Sequence, residues 1–404
     1  MLAPNIDEIT PDHIASLVNE KVAERRTLDY KEKLPGGTDD EKKEFLSDVC
    51  SFANLNGGDI IYGVSDERGA DGKPTGVPGS IVGLTSANLS SERDRLESMV
   101  RDGIRPRIPN LQTKDIQVPG QGPVLVLRVA RSWIKPHMVT FKGSSRFYSR
   151  HSTGKYQLDV QEIGQAFAEQ RSLGEQLRNW RADRIARILS DEGPLRLDGP
   201  SKLLVHFIPA SFIEQQVGLW PVPSDARLLF RPSSLSSSTA SRYNADGFLV
   251  YSLKGADDCA SYVQLFRNGC LEYADGYILN VGRHYGQGQE KEIPSKSFEQ
   301  KLVEAFGNAL LIARKFGIDD PVYFCCTLIG VQGMRLSRTG LFEIGGGHTF
   351  DRPVIQSPEA QIDRADQRPY RRSVLPVVDS VWQANGYEET PWRDPSGEWN
   401  PYLP

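Results

Sequence analysis

A helix end, two glycines and a buried strand follow one another in Ser51-Phe52-Ala53-Asn54-Leu55-Asn56-Gly57-Gly58-Asp59-Ile60-Ile61-Tyr62-Gly63-Val64. Apolar residues at helical spacing upstream of this stretch predict a helix from about residue 39 to residue 54. Gly57 and Gly58 are expected to end this helix, because glycine adopts the left-handed conformation of a helix cap without strain. The apolar run after the glycines predicts a short buried strand at 59–64.

Helices and strands mix irregularly on both sides of this stretch. The predicted elements are a helix at 10–21, a strand at 27–31, a helix at 89–102, two strand pairs between 113 and 150, and helices at 159–171 and 174–190. These elements do not alternate as regular strand–helix–strand units. The sequence therefore predicts the α+β fold class.

The length of 404 residues is long for one hydrophobic core and suits two. The second half contains its own strands and a long amphipathic helix from about residue 295 to residue 316. We therefore predict an N-terminal domain at 1–172, a linking helix at 173–198, a C-terminal α+β domain without an assigned role at 199–357, and a polar tail with one short helix at 358–404.

The composition, 39% hydrophobic and 25% charged, is typical of a soluble globular protein. No apolar run reaches the roughly eighteen residues of a membrane span, so no membrane association is expected. The five cysteines are too few and too scattered for a disulfide framework, which favours a cytoplasmic location. The net charge of −4 argues mildly against binding nucleic acid over the whole surface, but distant charges are screened and a local basic groove remains compatible with it.

Three carboxylates and a lysine cluster around the predicted strands of the N-terminal domain. Glu24 precedes a strand that carries Asp29 and Lys31, and Asp66 follows the next strand. Alternation along a strand puts Asp29 and Lys31 on one face. The three carboxylates could hold Mg²⁺ or Mn²⁺ at a scissile phosphate, and the lysine could steady the developing negative charge. The alternative is ordinary surface acids in a charged protein, and the spacing alone favours it.

Several short motifs occur together in this region. Glu-x4-Asp-x-Lys, Ser-Phe-Ala-Asn-x2-Gly-Gly and Ile-x-Gly-Val-x-Asp lie in this order within residues 24–66. Lys135-Pro136-His137, Phe147-Tyr148-Ser149-Arg150 and a closing helix follow. Residues from about 20 to 170 thereby resemble the Schlafen AlbA-like domain, and the Phe-Ala-Asn-x2-Gly-Gly run is the specific part of the resemblance.

The resemblance implies a domain that processes nucleic acid. In Schlafen proteins that are active nucleases, three acids form the cleavage site for tRNA and related RNAs. Carried over to this chain, they fall on Glu24, Asp29 and Asp66, the same residues that are the candidate metal ligands. The second acid of the family is usually glutamate, so Asp29 is one methylene shorter than the pattern.

Basic residues crowd the segment from 135 to 155 and alternate with aromatic residues. Basic groups bind phosphates and aromatic rings stack on unpaired bases, as RNA recognition requires. The alternative is a solvated hairpin whose aromatic residues lie in the core. The predicted nucleic-acid-binding residues are Lys135, His137, Lys142, Arg146, Arg150 and Lys155.

A second basic pattern is a stripe of arginines that recurs every three residues on a predicted helix, at Arg178, Arg181, Arg184 and Arg187. Such a stripe could follow a phosphate backbone. A solvated helix face is the more common role of this pattern and is the favoured interpretation.

These observations predict a metal-dependent endoribonuclease that uses Mg²⁺ or Mn²⁺ and acts on tRNA or another structured RNA, with RNA favoured over DNA. The resemblance adds a role in stress response or antiphage defence. A homodimer is expected, because two copies of one lobe would form a cradle for RNA. Two alternatives remain open: a DNA- or RNA-binding transcriptional regulator without chemistry, and a nucleotide-binding sensor whose phosphate ligand lies near Gly57, Gly58 and Gly63.

Overall fold

The computed structural model describes residues 6–85, 88–108, 111–151, 154–214, 216–219, 221–232, 239–254, 258–281, 291–318, 320–337, 348–362 and 370–402. The chain divides into two units, Met1–Glu175 and Gln176–Pro404. Both units contain helices and sheets in irregular order, so the predicted α+β class is confirmed. Within the described ranges, no helix is long and apolar enough to cross a lipid bilayer.

The helices in the described part of the first unit are α1 (Pro11–Asn19), α2 (Asp39–Asn54) and α3 (Leu89–Gly103). Helix α4 (Val160–Leu189) begins in this unit and ends in the second. Its strands are β1 (Leu28–Lys31), β2 (Gly57–Tyr62), β3 (Val64–Arg68), β4 (Pro74–Ile81), β5 (Ile104–Arg105), β6 (Leu111–Val118), β7 (Gly122–Ala130), β8 (Met138–Val139), β9 (Arg146–His151) and β10 (Gly154–Gln157).

Two four-stranded sheets organise the described part of this unit, in the orders β1-β2-β7-β6 and β10-β9-β8-β5. In the first sheet β1 runs parallel to β2, and the other neighbours are antiparallel. Ile60 and Leu127 face a core shared with α2 and α3, whereas Ile61 and Val126 face a core shared with α1. Because both faces are buried, β2 and β7 read as continuous apolar runs.

The glycine pair at the start of β2 permits close packing. A Cβ atom at Gly58 would lie 2.5 Å from Phe52 Cε1 and 2.7 Å from the Thr27 carbonyl oxygen. Gly57 has a φ of +70°, but it begins β2 and does not cap α2, which ends at Asn54 with Leu55 as its cap. The predicted glycine cap is therefore wrong: Gly58 is required by the close approach of Phe52 on α2, and Gly57 by its positive φ and by the close approach of the backbone at the end of β7.

The end of α2 is fastened to the second sheet by the asparagine of the same motif. The Asn54 side-chain amide donates to the carbonyl oxygens of His137 and Tyr148, each at 2.9 Å, and Asn54 Oδ1 accepts from the His137 backbone amide at 2.7 Å. Three bonds from one buried side chain satisfy backbone groups that would otherwise be orphaned. The Phe-Ala-Asn-x2-Gly-Gly run thus sets the position of both sheets against α2.

The second unit contains the end of α4 and the helices α5 (Ser224–Arg227), α6 (Ser295–Lys315) and α7 (Tyr370–Ala384). Its strands are β11 (Lys202–Pro209), β12 (Thr239–Tyr243), β13 (Gly247–Lys254), β14 (Asp258–Phe266), β15 (Leu271–Asp275), β16 (Glu292–Ile293), β17 (Val322–Ile329), β18 (Arg335–Leu336), β19 (Val354–Gln356) and β20 (Ala360–Ile362).

An eight-stranded antiparallel sheet forms the centre of this unit, in the order β12-β13-β14-β15-β11-β17-β19, with β20 also paired to β17. Phe207 on β11 faces the larger core, which α6 and α7 complete with Phe306 and Trp382. Leu204 on the opposite face of β11 packs with Ile188 from α4. Alternation along β11 therefore gives each side of the sheet its own core.

Helix α4 differs from the two predicted helices at 159–171 and 174–190, because it is one continuous helix of 30 residues. The predicted linking helix at 173–198 is accordingly the second half of α4 and the turn after it. A single glycine such as Gly174 lowers helix stability by only about 1 kcal/mol, which does not break a helix held by packing on its other residues.

The arginine stripe on α4 is partly buried and does not form the expected solvated face. Arg184 donates twice to the Glu272 carboxylate, at 2.8 and 3.0 Å, and Arg181 donates to the carbonyl oxygens of Cys326 and Ser357. Two of the four arginines therefore satisfy polar groups inside the second unit and are not available to a phosphate backbone.

Residues after 357 are part of the second unit and do not form the predicted polar tail. Helix α7 lies in this segment and contains Pro376 in its interior. β20 pairs with β17, and Trp399 near the end of the chain is buried in the larger core. The polar composition misleads because a few large apolar residues anchor the described parts of this segment.

A buried carboxylate on α6 holds this C-terminal segment in place. Glu299 accepts hydrogen bonds from the indole nitrogens of Trp382 and Trp399 and from the Thr390 hydroxyl. Burial raises its pKa to about 7, against the effect of these donors. One side chain thus joins α6 to α7 and to the last described residues.

We predict that Glu299→Gln destabilises the protein by about 1–3 kcal/mol, because the new amide group turns donors toward a buried indole N–H and leaves it unsatisfied. The measurement is urea unfolding followed by tryptophan fluorescence. Glu304→Gln is the matched control on the same helix, since Glu304 is half exposed and pairs with Lys301. Equal unfolding midpoints for Glu299→Gln and the control would contradict the role assigned to Glu299.

Candidate functional site

The first two predicted acids lie side by side at β1. Asp29 is 2% exposed, and Glu24, just before the strand, accepts a hydrogen bond at Oε1 from the Tyr30 backbone amide at 2.9 Å. Burial raises the pKa of Glu24 to about 8, and a hydrogen bond to Asp29 and the negative charge of Asp29 add to this rise. The Glu24 carboxyl is therefore placed to hold a proton that it shares with Asp29.

Asp29 is fixed by two cations. Lys31 Nζ lies 2.9 Å from Asp29 Oδ1, and Arg150 Nη2 donates to Oδ2 at 2.8 Å. Burial alone would raise the pKa of Asp29, but the charge of Lys31, the Glu24 hydrogen bond and the charge of Arg150 together lower it. Two neighbouring carboxyl groups thus have pKa values shifted in opposite directions, which is a common property of acid–base sites.

Asp66 completes the predicted set from the neighbouring strand β3. Partial burial raises the pKa of Asp66; the charge of Lys31 opposes this rise and the charge of Asp29 adds to it. Its Oδ1 atom is buried without a hydrogen-bond partner. The charge of Lys31 acts on the pKa of Glu24, Asp29 and Asp66 alike, and its ammonium group forms an ion pair with Asp29 at 2.9 Å, so the three acids lie within the electrostatic reach of one ammonium group.

The fit of this cluster to a divalent cation rests on the unpartnered Asp66 oxygen and on the adjacent carboxyls of Glu24 and Asp29. No group of three His, Cys, Asp or Glu side chains within the described residues is arranged as a ready-made metal site. Mg²⁺ commonly takes one or two protein carboxylates and completes its shell with water and substrate phosphate. The oxygen donors here fit that mode of binding, and they do not form a closed three-carboxylate cage.

Asp48 on α2 is a member of the cluster that the sequence interpretation missed. It is buried, and its Oδ1 accepts from Lys155 Nζ at 2.8 Å. Arg150 Nη1 lies 3.8 Å from Oδ1, and Lys31 Nζ lies 3.9 Å from Oδ2. A signal was present, since residue 48 falls on the apolar face predicted for α2, where an unpaired acid would be costly.

The six predicted nucleic-acid-binding residues do not form one exposed face. Arg150 and His137 are 4% and 0% exposed, so neither presents its side chain to solvent. Lys135 pairs with Glu169 at 2.7 Å and is largely covered, and Lys155 is held by the acids of α2. The remaining two are exposed: Lys142 and Arg146.

Three exposed arginines that were not predicted, Arg101, Arg105 and Arg107, lie on β5 or within a few residues of it, and β5 belongs to the same sheet as Arg146 on β9. Ile104 on β5 pairs with Val139 on β8, which pairs in turn with Arg146, so the register aligns Arg146 with Ile104. The Thr140 backbone amide also donates to the Gly103 carbonyl oxygen at 2.8 Å. We use the term basic rim for the exposed set Arg101, Arg105, Arg107, Lys142 and Arg146.

The glycines assigned to a phosphate ligand in the nucleotide-sensor alternative are packed against protein atoms. A Cβ at Gly57 would lie 2.5 Å from the Arg131 amide nitrogen, and one at Gly63 would lie 3.4 Å from the Pro123 carbonyl oxygen. Gly58 is equally enclosed by Phe52. This packing accounts for the glycines without a ligand.

Comparison with known proteins supports the domain interpretation. Residues 24–159 match the family described as Schlafen, AlbA_2. The predicted resemblance is thereby confirmed: this part of the chain is a Schlafen AlbA-like domain, and the match supports a function connected with nucleic acid. No curated protein matches the chain.

Two solved structures are similar to part of the chain. One is the N-terminal domain of an ATP-dependent DNA helicase RecG-related protein from Nitrosomonas europaea, with 20% identity and a TM-score of 0.28; the match covers 38% of this chain and 94% of that one. The other is the DIP2311 protein from Corynebacterium diphtheriae, with 20% identity and a TM-score of 0.23; the match covers 36% of this chain and 26% of that one.

The buried His137 ring makes the stability of the protein depend on pH. Its Nδ1 lies 2.8 Å from the Pro106 carbonyl oxygen, and burial lowers its pKa to about 4, from 6.5. His137 therefore becomes protonated near pH 6.5 in the unfolded chain, whereas in the folded chain it stays neutral until the pH approaches 4. Stability is full above pH 6.5 and falls as the pH drops toward 4.

We predict that this histidine removes about 2 kcal/mol of stability between pH 7 and pH 5. His137→Asn keeps an amide donor near the position of Nδ1 and cannot be protonated. The variant should therefore lose less stability over this interval than the wild type in urea unfolding at the two pH values. Parallel losses in the two proteins would show that His137 is charged, and accessible, in the folded state.

Proposed function

We propose that the first unit is a metal-assisted endoribonuclease that cleaves tRNA or another structured RNA. The observation that supports this proposal best is the carboxyl pair at β1, where Glu24 accepts from the Tyr30 amide at 2.9 Å and Asp29 is held by Lys31 at 2.9 Å and by Arg150 at 2.8 Å. Glu24, Asp29 and Asp66 are the positions at which active Schlafen nucleases have their acids. The role in stress response or antiphage defence and the homodimer are part of the same proposal.

In this proposal Mg²⁺ or Mn²⁺ would be held by one or two carboxylates of the set Glu24, Asp29 and Asp66, and water and substrate phosphate would complete its shell. When bound, the ion would neutralise the scissile phosphate and activate the attacking water. Lys31 is 37% exposed, so its ammonium group can reach a non-bridging phosphate oxygen while it remains beside Asp29. Arg150 and the Tyr30 amide keep the Asp29 and Glu24 carboxyl groups in fixed positions, which avoids reorganisation during the reaction.

The basic rim is the surface that we assign to the RNA backbone. Arg105 is exposed on β5, and its guanidinium donates to the Arg101 carbonyl oxygen at 2.6 Å, which fixes its position. Arg107 follows two residues later and is also exposed. Exposed arginines that bind phosphates release counterions, so they contribute affinity that falls with salt.

The second candidate function is a regulator that binds DNA or RNA through the same domain without chemistry. The observation that favours it is the engagement of both Asp29 oxygens by Lys31 and Arg150, because such a carboxylate is already neutralised. The two functions predict the same binding surface and differ in cleavage. A cleavage assay with variants of the acids separates them.

We predict that the purified protein cleaves tRNA in the presence of Mn²⁺ or Mg²⁺, and that Glu24→Gln and Asp66→Asn each lower the single-turnover rate at least about a hundredfold. The rate constant is measured on labelled tRNA, with and without chelator. Asp71→Asn is the matched control, since Asp71 is an exposed acid close in sequence to Asp66. The Asp71→Asn protein should cleave tRNA at the wild-type rate.

The result that would remove the nuclease proposal is equal inactivity of the wild type and all three variants, each of which still binds RNA. That outcome would establish the binding protein. Cleavage by the wild type that is unaffected by chelator would retain the nuclease and remove the metal.

A separate prediction concerns the basic rim. Arg105→Ala combined with Arg107→Ala should weaken RNA binding about tenfold at low salt and reduce the slope of log Kd against log salt by about 1–2. The measurement is fluorescence anisotropy across a salt series. Lys73→Ala, which removes an exposed lysine far from the rim in sequence, is the control and should leave the slope unchanged. Identical slopes for all three proteins would place the RNA elsewhere.

A further inference from the structure

Asp48 lies where three cations meet. Lys155 from β10 is hydrogen-bonded to its Oδ1 at 2.8 Å, and Lys31 and Arg150 approach its two oxygens to 3.9 and 3.8 Å. Lys31 and Arg150 are also the two groups that hold Asp29. Asp48 and Asp29 therefore share their counterions, and any change at Asp48 reaches Asp29 through them.

The charges of this group balance only while Asp48 is ionised. Three cations, Lys31, Arg150 and Lys155, have three carboxylates within ion-pair distance, Asp29, Asp48 and Glu44, so the formal charges cancel if all three acids are ionised. Lys31 is the most exposed of the three cations. The charge that a phosphate approaching from solvent meets at Lys31 therefore depends on Asp48.

We propose that Asp48 is a positioning residue that orients Lys31 toward Asp29. Its negative charge also lowers the affinity of the cluster for the nucleic acid backbone, so that cleaved RNA is released. This inference rests on the proposed nuclease function for its effect on cleavage, but its effect on binding stands without it. Asp48 itself does not touch the phosphate. It acts through Lys31 and Lys155.

Removal of the charge at Asp48 has two consequences of opposite sign. The net formal charge of the group rises from zero to one positive charge, so a polyanion binds more tightly. At the same time Lys31 loses one of its two acidic neighbours and Lys155 loses its closest buried partner, so the ammonium groups are no longer held in one geometry and the chemical step slows. A merely structural role would weaken binding and cleavage together through loss of folded protein.

The test compares wild type, Asp48→Asn and Glu44→Gln in the full chain. Glu44 is the matched control, because its exposed carboxylate forms an ion pair with the same Lys155 at 2.6 Å. Lys31 and Arg150 form their ion pairs with Asp29 and Asp48 instead. Binding of a fluorescein-labelled tRNA is measured by anisotropy at low salt, and single-turnover cleavage is measured with Mn²⁺. Thermal unfolding establishes that each protein is folded.

We expect Asp48→Asn to bind RNA about three- to tenfold more tightly than the wild type and to cleave at least about tenfold more slowly. Glu44→Gln should cleave at the wild-type rate. Adding Lys155→Met to Asp48→Asn restores the original net charge of the group, so the tighter binding should disappear while cleavage stays slow. Binding by Asp48→Asn that is unchanged or weaker than that of the wild type would overturn the inference.

The outcomes separate this inference from the nuclease proposal. A wild type that binds RNA but does not cleave it removes the nuclease, and the tighter binding of Asp48→Asn still tests the charge balance. If the wild type and Asp48→Asn cleave RNA at the same rate, the nuclease proposal stands and the positioning role of Asp48 is ruled out. If Asp48→Asn does not fold, Asp48→Glu replaces it in the test, because this variant keeps the negative charge and shifts the carboxylate group. Asp48→Glu should bind RNA with wild-type affinity and cleave it more slowly. Cleavage at the wild-type rate by Asp48→Glu would overturn the proposal.

Discussion

Arg150 extends from β9 to donate to the Asp29 carboxylate on β1 at 2.8 Å, and its guanidinium lies 4.2 Å from the centre of the Phe52 ring on α2. One side chain therefore joins the second sheet, the first sheet and the helix between them. Breaking a buried ion pair by removing one partner typically costs about 3–5 kcal/mol, because an uncompensated charge remains. Lys31 is ion-paired with the same carboxylate at 2.9 Å, so the Arg150 contact also influences where the Lys31 ammonium group lies.

The parts of the fold that could be predicted are those with a strong local pattern. Helix α2 and strand β2 were expected within a few residues, because apolar spacing and a glycine pair mark them. The predictions failed where distant residues decide. Whether α4 continues past Gly174 and whether the chain after 357 folds depend on buried partners such as Glu299 and Trp399, which no local window contains.

The candidate site follows the same division. The motifs placed Glu24, Asp29 and Asp66, since each lies beside a recognisable strand. They did not reveal that Arg150 is a partner of Asp29, because a basic residue in a basic segment reads as surface and its burial depends on contact with a side chain 121 residues away in the sequence. Asp48 was missed for the converse reason, since an acid on an apolar helix face makes sense only when its cations, from β1, β9 and β10, are known.

Buried charge alone does not identify a functional site, as the second unit demonstrates. There Glu272 accepts hydrogen bonds from Arg184, His206 and Tyr262, and all four side chains are enclosed, so the group has no member that a substrate could reach. The cluster of the first unit is also buried and paired, but Lys31 opens it to solvent and Asp66 retains an unpartnered oxygen. Charges in a water-poor environment act strongly on any ion that reaches them. A buried ionic group can therefore reach a substrate only where one member is accessible, and this difference is the structural reason for placing the candidate site at the first cluster and not at the second.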